Sequence, residues 1–203
     1  MVILALDTAT DVTTVCLSVD GEATETATRA RPHAAQGVLV DVAALLDRAG
    51  LAPDQVDRVL VGVGPGGYTG LRIGIATARG LAAALAVPVA GVSTLDALLA
   101  GDGVEVACID ARRGEVFAAG AGIAPCVLSP ESLAGMVAGR VVAGDGAVRH
   151  RRTLAAASIP PDDSPLHVPW ARHHVALAAS AGPAEPCYLR TPDADRSIVP
   201  GAA

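Results

Sequence analysis

A run of glycines between a strand pattern and a helix pattern places the tightest limit on this chain. Residues 62–72 read Gly62-Val63-Gly64-Pro65-Gly66-Gly67-Tyr68-Thr69-Gly70-Leu71-Arg72. An apolar run at 58–63 precedes the glycines and an amphipathic stretch at 70–86 follows them. A tight strand-to-helix turn of this kind belongs to layered α/β architectures. Gly62, Gly64 and Gly67 satisfy GxGxxG in the context that the dinucleotide fingerprint requires. That fingerprint also wants an acidic residue about 20 positions later to hold a ribose. Residues 82–95 contain none, and the motif follows the fourth strand rather than the first. A phosphate-binding P-loop needs lysine where Tyr68 stands. A nucleophile elbow needs a second glycine that Gly91-Val92-Ser93-Thr94-Leu95 lacks. Two readings remain. One is a structural turn made by Gly64, Pro65, Gly66, Gly67, Tyr68 and Thr69. The other adds a helix shaped for close approach, because Gly70 and Gly74 are four apart, as are Ala76, Gly80 and Ala84.

The rest of the chain fits around that turn. Alternating, Val- and Thr-rich segments predict strands at 2–6, 12–19 and 22–28, the last two joined by the hairpin signal Asp20-Gly21. A helix is predicted at 33–49, with Ala35, Val38, Leu39, Val42, Leu45, Leu46 and Ala49 on one face and Gly50 as its stop. Val40 and Ala44 fall on the other side, so that side is weakly polar. A short strand at 88–92 leads to a helix capped by Ser93. Beyond Gly101-Asp102-Gly103 a fresh pattern begins. Strands at 104–110 and 115–119 flank Ala111-Arg112-Arg113-Gly114, a helix starts at Ser129-Pro130-Glu131, and a strand is predicted at 140–143. Helices are predicted at 148–157 and 171–181, with an exposed loop at 159–169. The expectation is an α/β fold of two domains, 1–101 and 102–203.

Composition removes several chemistries. The chain has no lysine and no asparagine, which excludes a P-loop lysine, a Schiff base, a Ser-Lys dyad and a Cys-His-Asn triad. The four cysteines are scattered and suit neither zinc nor a disulfide scaffold. A net charge of −6 gives little long-range attraction to nucleic acid. The basic cluster Arg149-His150-Arg151-Arg152 is a candidate RNA contact or a solvated helix end. The neighbours His173 and His174 point to different faces of a helix and make a poor metal pair. Half of the chain is apolar (51%), yet Gly and Pro interrupt every long uncharged stretch. No membrane span and no signal peptide are expected, and the protein is expected in the cytoplasm.

Five segments together resemble one family. MVILALDTAT at 1–10, GPGGYTGLRIG at 64–74, PVAGVSTLDAL at 88–98, IDARRGEVF at 109–117 and PCYLR at 186–190 are similar to the bacterial TsaB (YeaZ) family. The resemblance implies the actin/Hsp70/sugar-kinase fold (ASKHA) with a reduced second domain. It implies a non-catalytic partner subunit, without cofactor or metal. Its partners would be TsaD, which attaches threonylcarbamoyl to the adenosine beside the anticodon, and the ATPase TsaE, with tRNA reached only through the complex. A homodimer in the absence of TsaD stays open. So does an independent actin-like ATPase or a glycoprotease-type hydrolase.

This chain has Gly67 and Tyr68 where the family usually has Ser and Phe. The phosphate hairpin of the fold keeps Asp7 and Thr8 but has no glycine before Gly21 and is degenerate. The HxxxH metal pair of TsaD is reduced to His33, with Gly37 in the second position. The expected docking face comprises Leu39, Val40, Val42 and Leu46 from the first helix. The second helix adds Gly70, Arg72, Ile73, Gly74, Ala76 and Gly80. Arg72 is expected to meet a partner carboxylate.

Overall fold

The computed structural model describes residues 1–29 and 34–190. It contains two sheets. The first begins with β1 (Val2–Asp7), β2 (Val12–Val19) and β3 (Glu22–Arg29), an antiparallel meander. The predicted hairpin at Asp20-Gly21 forms, with φ of 49° and 95°, the left-handed pair that a two-residue hairpin turn demands. β1 is apolar on both faces because both are covered. Leu4, Ala5 and Leu6 are fully buried, and a Leu buried in this way is worth ~1.5–3 kcal/mol. β3 is polar and alternating because it is the edge. Helix α1 (Ala34–Ala49) follows, then β4 (Arg58–Gly62), which runs parallel to β1.

The glycine turn leads into helix α2 (Tyr68–Leu85), two residues earlier than its sequence pattern indicates, and then to β5 (Val89–Val92) beside β4. The sheet order is β3-β2-β1-β4-β5. α1 and α2 cover one face, with Val38, Val42, Leu45, Leu46, Leu71 and Ile75 in the core beneath them. Ser93 caps α3 (Thr94–Leu99), its hydroxyl accepting from the Asp96 N–H.

The second sheet comprises β6 (Val106–Arg112), β7 (Glu115–Gly120), β8 (Ile123–Leu128) and β9 (Val142–Ala143), in the order β8-β7-β6-β9. α3 wedges between the sheets, with Leu95 and Leu98 packed against Ile109 and Phe117. On the other face lie α4 (Pro130–Ala134) and α5 (Asp145–Arg149), through Leu133 and Ala147. The sheets fall either side of the 101/102 boundary, but the chain crosses back. α6 (Ala171–Ala176) packs on the open face of the first sheet, where Ala171 meets Ile3, Ala5 and Cys16. Gly182 then bridges to Gly91, and the Cys187 N–H donates to Val63 O at 2.8 Å.

Two local expectations are corrected, and one strand lies where none was predicted. β8 follows Gly120 and Gly122, whose positive φ turns the hairpin, and Pro125 is exposed on this edge strand. The helix expected at 148–157 occupies Asp145–Arg149 and then breaks into turns. Gly146 lets this helix pack closely on β6, since a Cβ there would lie 2.8 Å from the Ile109 backbone carbon. The helix expected at 171–181 stops at Ala176 and continues as a single 3-10 turn.

Candidate docking face and adjoining cleft

Asp7 ends β1 and is fully buried. Its Oδ1 accepts from the Ala9 N–H at 2.7 Å. Its Oδ2 accepts from Thr94 Oγ1 and lies against His174 Nε2, both at 2.9 Å. Thr94 in turn accepts from the Gly64 N–H at 3.2 Å, which ties the glycine turn to the same centre. The carboxylate that an actin-like hairpin would offer to phosphates is therefore enclosed by this chain's own side chains. The His173–His174 pair does split as its spacing requires. His173 Nδ1 lies 2.7 Å from Ala97 O, and His174 turns inward to Asp7. Nothing in the periodicity of the sequence marks His174 as the partner of a residue 167 positions away.

The small residues of α2 have two different jobs. A Cβ on Gly70 would lie 2.3 Å from Thr8 O, and one on Gly74 would lie 2.1 Å from Thr8 Oγ1. Thr8 also donates to Gly70 O at 2.7 Å. These two glycines therefore admit the end of β1, not a helix of a partner, which corrects their place on the docking face. Gly80 meets nothing within 4 Å and points outward with Ala76.

On α1 the division is equally plain. Val42 and Leu46 are 6% and 5% exposed and belong to the core. Leu39 and Val40 are 48% and 66% exposed, and Ala43 and Ala44 continue that apolar strip. Ile73 is half-buried at its margin. The outer face that remains is Leu39, Val40, Ala43 and Ala44 on one helix and Ala76 and Gly80 on the next. Arg72 is held by its own chain. Its guanidinium lies 4.1 Å from the Tyr68 ring centroid, and its Nε donates to the Tyr188 hydroxyl at 2.9 Å. The expected pairing of Arg72 with a partner carboxylate would have to compete with that arrangement.

Tyr68 and Tyr188 stack with centroids 5.8 Å apart. They form one wall of a cleft of about 270 Å³, between the glycine turn and the β6–β7 hairpin, with Phe117, Arg112, Arg113 and Arg190 on its other sides. Asp110 at its base accepts from the Arg112 N–H and pairs with Arg112 at 3.2 Å and Arg149 at 3.3 Å. Behind it Asp145 accepts from the Asp110 N–H at 3.0 Å. Burial pushes the Asp145 carboxyl up to about 6, and the charges of Asp110 and Asp11 push in the same direction.

The remaining candidates are quickly placed. His33 lies outside the described residues, and no group of three His, Cys, Asp or Glu able to hold a metal occurs among those described. Within the basic cluster, Arg149 is spent on Asp110, and Arg151 on Asp162 and the carbonyls of Ile159 and Pro160. The four cysteines are free; Cys16 and Cys108 are buried and Cys187 is exposed beside the cleft. No helix among the described residues is long and apolar enough to cross a membrane.

Comparison with known proteins places these features. Residues 13–136 match the family model for TsaD, tRNA N6-adenosine threonylcarbamoyltransferase. An uncharacterized protein of Mycobacterium tuberculosis is 37% identical over 95% of this chain and 93% of its own length. The tRNA threonylcarbamoyladenosine biosynthesis protein TsaB of Escherichia coli is 38% identical over 58% of this chain, which spans 53% of that relative. The solved structure of YeaZ from Pseudomonas aeruginosa superimposes with a TM-score of 0.73 and 32% identity, covering 93% of this chain and 99% of that one.

Proposed function

We propose that this chain, which belongs to the TsaB (YeaZ) family, is a non-catalytic subunit of tRNA threonylcarbamoyladenosine biosynthesis that docks on TsaD, with TsaE joining the pair, in the cytoplasm. The observation that carries the reading is the apolar outer face of α1 and α2. Leu39 and Val40 are large, exposed and adjacent to exposed alanines. Such a strip is costly to leave in water and suits burial against a helical partner. A specific interface of standard size buries ~1,600 Å² in total and depends on a few central side chains. The sealed Asp7 supports a non-catalytic role. Both of its oxygens already meet groups of this chain, Thr94, His174 and the Ala9 N–H, and its side chain is fully buried, so it is enclosed rather than presented to a nucleophile or a metal.

The alternative of an independent ATPase or peptidase would need a complete site, which neither Asp7 nor the free cysteines supply. The test mixes the purified chain with TsaD and measures mass by light scattering. A complex that disappears on Val40→Glu, in a variant that melts normally, supports the reading. Val40→Glu binding at wild-type strength overturns it. ATP turnover by the chain alone that is lost on Asp7→Ala would overturn the non-catalytic assignment.

A further inference from the structure

Four strands stand at the edges of the two sheets, and three of them are blunted. On β5, Gly182 bonds to both backbone groups of Gly91, each at 2.9 Å. β9 is two residues long, and the Val142 N–H donates to Ser158 O at 2.9 Å. β8 carries Pro125 close to a shift of register. Such devices keep an edge from pairing with another chain. β3 has none of them. It runs for eight residues in unbroken register with no proline, and no group outside β2 bonds to its backbone among the described residues. The hairpin before it fixes which groups are left over. A two-residue turn makes Val19 and Glu22 a bonded pair. Alternation then aims the backbone groups of Thr24, Thr26 and Thr28 at β2, and those of Ala23, Glu25, Ala27 and Arg29 outward. The Asp20 N–H, which donates to Met1 O at 3.0 Å, obeys the same parity on the other side of β2.

Two copies can join such edges antiparallel about a two-fold axis only where an outward residue meets an outward residue. An axis at Glu25 sets carboxylate against carboxylate. An axis at Thr26 sets Glu25 and Arg29 each against an alanine. An axis at Ala27 sets Glu25 opposite Arg29 twice and Thr26 opposite Thr28 twice. Opposite charges and threonine pairs are favoured cross-strand neighbours, and like charges are not. Glu25 also accepts from Arg172, and a carboxylate has acceptor sites for two guanidinium groups. We propose that β3 pairs with β3 of a second copy in the register centred on Ala27, so that two five-stranded sheets become one continuous sheet. The seam is short, under ~1,200 Å² in total, which makes the dimer weak and reversible. It leaves the outer face of α1 and α2 uncovered and does not rest on the docking reading.

Sedimentation equilibrium of the full chain tests this, at up to about 0.5 mM, where a dimer with a Kd of ~100 μM is the larger species. A monomer–dimer equilibrium is expected. Ala27→Pro removes an outward N–H that nothing in the chain uses, and should abolish the dimer. Arg29→Glu reverses two cross-strand charge pairs at once, and should weaken the dimer by about tenfold. Under oxidation Ala27→Cys should link to its own copy, because a bonded pair holds its Cα atoms about 5.5 Å apart, within the reach of a disulfide. Ala23→Cys should not link in this way. Peptide mass mapping separates that link from one through Cys126 or Cys187. A chain that stays monomeric throughout overturns the proposal, as does a dimer that persists at full strength in either folded variant, Ala27→Pro or Arg29→Glu. A dimer lost on Val40→Glu overturns it too, and moves self-association to α1 and α2. Ala27→Pro should bind TsaD as the wild type does, so failure of the docking face and failure of this seam are told apart.

Discussion

His174 Nε2 lies 2.9 Å from Asp7 Oδ2, and neither side chain has any solvent exposure. The contact fastens α6, from the second half of the chain, onto the end of the first strand. Removing His174 would leave a buried carboxylate short of a partner and a cavity behind it. His174→Ala should therefore destabilise the fold by ~3 kcal/mol or more. Urea denaturation measures it, and a change under about 1 kcal/mol would mean that the pair does not hold the halves together.

Gly70 and Gly74 should behave as packing residues. Gly74→Ala drives a Cβ into Thr8 Oγ1, and Gly70→Ala drives one into the Thr8 carbonyl. Each should cost ~1–3 kcal/mol. Gly80→Ala, in the same helix with open space outside it, should gain up to about 1 kcal/mol from helix propensity. Thermal melts of the three variants decide; equal effects would return Gly70 and Gly74 to the outer surface.

Asp145 sets a pH dependence. Its carboxyl is raised from 3.8 to about 6, chiefly by burial. The folded state thus holds this proton more tightly than the unfolded state does. The stabilising contribution is complete below the unfolded value and lost as pH rises through about 6. Asp145→Asn keeps an oxygen for the Asp110 N–H and cannot ionise. Its stability relative to wild type should climb from about pH 4 to about pH 7 and then level off. A pH-independent difference in urea midpoint would contradict this origin.

How much of this was legible depends on range. The β2–β3 hairpin followed from Asp20-Gly21 and alternation, because both signals are local. The spacing of Gly70 and Gly74 announced a close approach correctly but could not say to what. The contact is Thr8, more than sixty positions earlier in the chain, and small residues look alike whether a neighbour belongs to the same chain or another. The Asp7–His174 pair left no trace, since each residue has an ordinary local context. Val42 and Leu46 shared the apolar periodicity of Leu39, and only the position of the sheet separates core from surface. β8 was hidden because Gly120 and Gly122 read as breakers when they form the turn.

Hydroxyl-radical footprinting of the chain, alone and with TsaD, tests the docking face most directly. Leu39, Val40 and Met136 are exposed at 48%, 66% and 48%, the first two on α1 and the third beyond α4 in the second half. Complex formation should suppress oxidation of Leu39 and Val40 and leave Met136 reactive. Suppression at Met136 with Leu39 and Val40 unchanged would contradict the assignment and move the interface to the second sheet.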